Sequence, residues 1–231
     1  MHVLILGATG MVGQGVLREC LLDDGVKRVV TLGRSAIETR HPKLRQIVHA
    51  DLLDLTAIEG ELTALDACFY CLGASAAGIT EQEYVRVNHD ITLAVAETLV
   101  RLDPGMTFIY VSGAGTDSSE HGRVMWARVK GRTENALLRL PFQSAYMLRP
   151  AVILPMHGIK SRTMLYRVFY TLVAPAYPLL KRLPAKYVTT SERLGRAMLR
   201  LARTGYSSRV LASADIDLLG ERPVVGVAPP Q

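Results

Sequence analysis

Three observations in the sequence predict a three-layer α/β fold built on a doubly wound parallel sheet. Short apolar runs alternate with helical patterns through the first 150 residues, as parallel strands covered by crossover helices on both faces require. The first apolar run ends in Gly7, Gly10 and Gly13, and a helical pattern begins inside that spacing. Finally, 231 residues with 49% apolar and 21% charged residues suffice for one sizeable core but are few for two independent ones. The same composition excludes disordered, collagen-like and disulfide-scaffold classes.

The elements follow in order. His2 to Leu6 reads as the first strand and Met11 to Leu22 as the first helix. Val26 to Leu32, Arg45 to His49 and Ala67 to Leu72 read as strands two, three and four, each bounded by Gly, Asp or Pro. Glu81 to Leu102 carries apolar residues at Val85, Val87, Leu93, Val95, Ala96 and Leu99, and predicts one long helix stopped by Asp103-Pro104-Gly105. Thr107 to Ser112 is the fifth strand. A loop rich in Gly, Ser and Asp, Gly113 to Gly122, leads to the helix Val124 to Leu140, and Ser144 to Leu148 is the sixth strand before Arg149-Pro150. We expect residues 1–231 to form a single domain, with about 151–190 and 205–231 as a small C-terminal substrate-side or lid region. Within it, Thr189 and Glu192 offer a capping box for a helix from Ser191 to Arg203, and Arg209 to Ala212 reads as a short strand. The tail Arg222 to Gln231 is expected to be poorly ordered. Met164 to Leu183 mixes aromatic, aliphatic and basic residues and predicts a lid, a contact surface or buried core.

Charge divides the chain. Residues 1–120 carry nine Lys and Arg against sixteen Asp and Glu, and residues 121–231 carry eighteen against five. A basic half suits phosphates or an anionic surface. Arg193, Arg196, Arg200 and Arg203 nevertheless read as solvated charges along one helix. No basic run is interleaved with aromatics, so nucleic acid is not an expected partner. Contact with a membrane surface stays a minor alternative. The opening MHVLILGATG has no charged leader, and its apolar run spans only Val3 to Leu6, which together with three Cys leads to an expectation of a cytoplasmic protein. Cys68 and Cys71 resemble a C-x-x-C pair, but strand alternation sends them to opposite faces, so no metal site is expected.

The glycine spacing carries the chemistry. Gly7-Ala8-Thr9-Gly10-Met11-Val12-Gly13 is a G-x-x-G-x-x-G turn between a strand and a helix. In such a turn the first glycine allows the tight bend, the second the close approach of a pyrophosphate to the helix N-terminus, and the third the packing of helix on strand. Gly7, Thr9, Gly10, Met11, Val12 and Gly13 are therefore expected to bind a dinucleotide. Strand two ends in Leu32-Gly33-Arg34-Ser35. An NAD-specific site places an acidic residue there, whereas Arg34 suits a 2′-phosphate, so NADP(H) is expected over NAD(H). Arg40, Lys43 and Arg45 either assist or are solvated. Asp51, beside Leu52, either meets the adenine amino group or, like Asp54, caps a helix. Cys71-Leu72-Gly73 brings a small-residue loop to the same edge, suited to the nicotinamide ribose.

In their order, GATGMVG, Gly33-Arg34, the Asp51 segment, Cys71-Leu72-Gly73, Val87-Asn88, Val111-Ser112-Gly113-Ala114, Val129-Lys130-Gly131 and Leu148-Arg149-Pro150 resemble the atypical and extended short-chain dehydrogenase/reductases. Within these the chain looks most like the NAD(P)-binding, NmrA-like and Tat-interacting-protein-like group. The resemblance covers nearly the whole chain and closes on Val188-Thr189-Thr190 and Arg196 to Leu199. It implies an NAD(P)-binding Rossmann fold and an oxidoreductase or epimerase/dehydratase-like activity. It also implies a Tyr-x-x-x-Lys pair that exchanges protons, and a Ser or Thr after strand five that polarises a carbonyl.

Lys130 fills the lysine position, and Ser112 or Thr116 the hydroxyl position. The tyrosine position holds Trp126, whose indole donates a hydrogen bond but exchanges no proton near neutral pH. Two classes therefore stay open. One is an NADP-dependent enzyme with a substitute proton donor, for which Tyr166, Tyr170, Tyr177, His121 and His157 are candidates, acting on a small carbonyl compound or nucleotide-linked ligand. The other is a non-catalytic NAD(P)-binding redox sensor or scaffold with a regulatory protein partner.

Overall fold

The computed structural model describes residues 1–159 and 187–221. The elements are β1 (His2–Leu6), α1 (Met11–Leu22), β2 (Arg28–Gly33), β3 (Leu44–Val48), a 3-10 turn (Thr56–Glu61), β4 (Ala67–Tyr70), α2 (Glu81–Val85), a π-helical turn (Arg86–Asp90) and α3 (Ile91–Leu102). They continue with β5 (Thr107–Val111), α4 (Met125–Arg139), β6 (Ser144–Arg149), β7 (Val152–Leu154), β8 (Val188–Thr190), α5 (Ser191–Thr204), β9 (Val210–Ala212) and α6 (Ser213–Glu221).

Seven strands form a parallel sheet in the order β3-β2-β1-β4-β5-β6-β9, the doubly wound arrangement the alternating pattern predicts. Strand alternation divides the core into two layers. Val3, Ile5, Phe69 and Ile109 pack with α1, α5 and α6, while Leu4, Leu6, Tyr70 and Tyr110 pack with α3 and α4. Cys68 lies in the second layer and Cys71 against the first, on opposite faces as expected.

The C-terminal region departs from expectation. The short strand expected in a substrate-side appendage, β9, pairs with β6 and extends the central sheet, with α6 following it directly. A second, two-stranded parallel sheet joins β7 to β8, an association of three-residue strands that no local pattern announces. The cap of α5 is Thr190, whose hydroxyl accepts from the Arg193 amide at 3.1 Å; Thr189 is instead buried and donates to Asp217 at 3.3 Å. The arginines of α5 are not simply solvated. Arg196 reaches Glu19, Arg203 pairs with Asp23 and Arg193 with Asp217, joining α5 to α1 and α6. The long helix expected over 81–102 is also interrupted, since Arg86–Asp90 takes a π-helical turn. Met164 to Leu183 and the tail from Arg222 lie outside the described residues. Among the described residues, no helix is long and apolar enough to cross a membrane.

Candidate functional site

The site forms where β1, β4 and β5 end at the C-terminal edge of the sheet. A side chain on Gly7, which has φ of +79°, would place its Cβ 2.6 Å from backbone atoms of Cys71 and Leu72. One on Gly13 would stand 2.1 Å from the Gly7 carbonyl oxygen, so strand, turn and helix pack through bare backbone. Gly10, the N-cap of α1, donates its amide to Gly7 O at 2.9 Å, and a Cβ on it would stand 3.3 Å from that same oxygen. Thr9 O accepts from the Gln14 side chain at 3.1 Å, while Met11 and Val12 begin the helix whose N-terminus faces the turn. A cradle of this kind fits a pyrophosphate.

Beside it runs a cleft of about 120 Å³, lined among others by Gly7, Thr9, Leu32, Arg34, Leu52 and Leu72. Arg34 is exposed at its mouth. The neighbouring cations are committed elsewhere. Lys43 donates to the Leu21 and Asp23 carbonyls at 3.2 and 2.8 Å, Arg45 pairs with Glu61 on the surface, and Arg40 is exposed. Asp51 Oδ1 accepts from the Leu53 amide at 3.0 Å and Asp54 Oδ1 from the Thr56 amide at 2.9 Å, so each closes a turn, and neither is the helix cap that was the alternative to an adenine contact, since the 3-10 turn is capped at Leu55. Burial pushes the Cys71 thiol up to about 12, so it is inert near neutral pH.

On the other side of β4, the π-helical turn carries the buried Asn88. Its side chain accepts from the Ala74 amide at 3.2 Å, and its backbone carbonyl accepts from Thr92 and Thr133, both at 3.1 Å. Asn88 thereby ties the loop containing Gly73 to α4, at the kind of helix irregularity found at functional sites.

Helix α4 supplies the rest. The Trp126 indole lies over the β5–α4 loop, where a Cβ on Gly113 or Gly115 would meet it at 4.0 and 3.4 Å. One turn on, Lys130 donates to Val111 O at 3.4 Å and sits 5.2 Å from the Tyr110 ring centroid. Burial pulls its ammonium down to about 8, with Glu134 opposing the fall. Ser112 does not aim its proton outward as a carbonyl donor should. Its hydroxyl is bonded to Glu134 and, at 3.0 Å, to Leu148 O, while Thr116 donates to Gly113 O at 2.7 Å.

Glu134 and Arg149 pair beside Ser112, and pattern reading passes over Glu134 while it meets Arg149 only within Leu148-Arg149-Pro150. Glu134 is a buried acid on the face of Trp126 and Lys130, spaced by four and eight residues, and that spacing was the available signal. Of the substitute proton donors, His121 is exposed. His157 faces Glu192 at 3.5 Å against α1 and α5. Tyr166, Tyr170 and Tyr177 lie outside the described residues. Glu19, His157 and Glu192 bring ligand atoms within 4.8 Å of one another, but Arg18 and Arg196 already hold both carboxylates.

Sheet order and glycine cradle define a Rossmann-type protein of the nicotinamide-dinucleotide class. Residues 3–125 match the model of the NAD dependent epimerase/dehydratase family, and the chain belongs to that family, within the atypical short-chain dehydrogenase/reductases. It is similar to the protein FMP52, mitochondrial, of Eremothecium gossypii, with 30% identity over 67% of each chain. The corresponding Chaetomium globosum protein is 28% identical over 65% of each chain, so the match spans just under two thirds of that relative. Protein HTATIP2 of Rattus norvegicus is 29% identical over 66% of this chain and 62% of its own. Among solved structures, the Bordetella bronchiseptica enzyme WbmF in complex with NAD+ shares the fold, with a TM-score of 0.66 and 16% identity over 100% of this chain and 82% of that one. The fungal relatives' mitochondrial names overturn the expected cytoplasmic location.

Proposed function

We propose that this protein binds NADP(H) and is an oxidoreductase or epimerase/dehydratase-type enzyme whose proton-exchanging tyrosine has been replaced by Trp126. The observation that carries the reading is the bare Gly7–Gly13 cradle opening onto the cleft that Arg34 lines. Gly7, Thr9, Gly10, Met11, Val12 and Gly13 would hold the pyrophosphate, and Arg34 the 2′-phosphate. Asp51 and Leu52 would face the adenine, Cys71, Leu72 and Gly73 the nicotinamide ribose, and Lys130 its hydroxyls. Bound there, the dinucleotide supplies two-electron redox chemistry at a carbon atom of a small carbonyl compound or nucleotide-linked ligand. Trp126 covers Gly113 and Gly115 and offers an N–H that orients a ligand without releasing a proton. Ordinary carbonyl turnover is therefore slow.

The same substitution supports a second reading, a redox sensor in which the bound nucleotide biases a regulatory partner. Trp126 is the sole tryptophan, so its emission serves as the binding signal. Titration should show NADPH binding more tightly than NADH by ~1.5–3 kcal/mol, roughly 10- to 150-fold, because a charge-assisted pair is gained. Arg34→Glu should erase the preference. Equal affinities in the wild type would contradict the NADP assignment, and absence of binding would contradict the site.

A further inference from the structure

We propose that Glu134 and the Leu148 carbonyl together turn the Ser112 proton inward, so that this site takes a hydroxyl-bearing ligand, an alcohol, in preference to the matching ketone. The proposal rests on the dinucleotide site described above and adds the chemical class of its second ligand.

Glu134 is 1% exposed and lies one turn beyond Lys130 on α4. Arg149, at the end of β6, donates its Nε to both carboxylate oxygens at 3.1 Å and its Nη2 to one of them. Arg149 Nη2 also reaches Ser118 Oγ at 2.5 Å, which fixes the guanidinium between two elements. A carboxylate gripped in this way is an acceptor toward Ser112. The second group within reach of Ser112, the Leu148 carbonyl, is also an acceptor. A serine hydroxyl has one proton, and whichever neighbour takes it, that proton points into the protein.

Ser112 is only partly buried, at the end of β5. It precedes Gly113, which lies under the indole, and follows Val111, whose carbonyl Lys130 contacts. Outward it therefore presents lone pairs. Thr116 cannot substitute as a donor, since its hydroxyl is bonded to Gly113 O. The donors near Ser112 are the Lys130 ammonium and the Trp126 indole N–H, which makes no hydrogen bond among the described residues.

A ligand hydroxyl satisfies both signs, donating to Ser112 while accepting from Lys130 or Trp126. A ketone satisfies only the donors and sets its oxygen against the Ser112 lone pairs. Sites built around a hydroxyl discriminate against analogues lacking it through such unpaired groups.

The test is equilibrium binding of cyclohexanol and cyclohexanone to the full chain loaded with 1,4,5,6-tetrahydro-NADP, an unreactive analogue, read by ligand-observed NMR. Wild type should bind the alcohol about tenfold more tightly, the order expected for one matched hydrogen bond. Ser112→Ala should level the pair. Glu134→Gln, whose amide can donate to the serine, leaves the Leu148 carbonyl to take the serine proton, so the alcohol preference should persist in it. If Glu134→Gln fails to fold because Arg149 loses its partner, Ser112→Ala still decides. Equal affinities in wild type, binding of neither probe, or an unchanged preference in Ser112→Ala would overturn the proposal. With the analogue still bound, each of these outcomes leaves the dinucleotide reading standing; failure of the analogue to bind overturns both.

Discussion

Single residues in this protein are constrained by backbone passing close to backbone. A Cβ at Gly131 would stand 1.7 Å from the Asp117 carbonyl oxygen, because α4 packs directly on the loop that leaves β5. Gly131→Ala should therefore lower stability by roughly 2–4 kcal/mol, whereas Gly60→Ala, with nothing within 4 Å, should stay within about 0.5 kcal/mol. Chemical denaturation of the pair checks this. Lys130 makes a different prediction. Its ammonium titrates at about 8, pulled down by burial, so the cation that would hold the ribose hydroxyls is present below that pH and lost above it. NADPH affinity measured from pH 6 to 10 should fall above about pH 8, and Lys130→Arg should remove the break.

Helices are held to one another by charge as well as by apolar contact. Asp23 closes α1 at the end where the helix dipole disfavours an acid. Burial raises its pKa, but the Arg203 guanidinium from α5 and the Gly25 and Val26 amides outweigh this and hold the carboxyl below its usual range. Lys43 caps the same helix end from the chain entering β3. Arg203→Ala strands a mostly buried carboxylate and should cost roughly 2–3 kcal/mol near pH 7. The folded pKa is depressed, so the contribution is complete above the unfolded value near 4 and is lost as pH falls through the folded value. Melting curves should show the gap between wild type and Arg203→Ala at pH 7 and its progressive narrowing as the pH is lowered below about 4. Element-scale patterns also explain what a one-dimensional reading overlooks. Apolar spacing over 81–102 is helical throughout, yet it cannot report the π-helical turn, which is stabilised by Asn88 contacts to the β4–α2 loop and to Thr133.

At the scale of the molecule, the first six strands and the cradle are legible because strand, turn and helix follow one another locally. β7 and β8 are not, since three residues pair with three others more than thirty positions away. The glycines and Arg34 were readable as a nucleotide site, but the inward serine was not, because its polarity depends on Glu134 and the Leu148 carbonyl arriving from two further elements. The central claim is a dinucleotide site that lacks its proton-exchanging phenol. The most direct measurement is NADPH-dependent turnover of a panel of aldehydes, ketones and quinones by wild type, Trp126→Tyr and Trp126→Phe at matched NADPH saturation. A lost general acid costs ~10²–10⁴-fold, so wild type and Trp126→Phe should be slow or inactive, and Trp126→Tyr faster by at least tenfold. Robust wild-type turnover that Trp126→Tyr does not raise and Trp126→Phe does not lower would contradict the account.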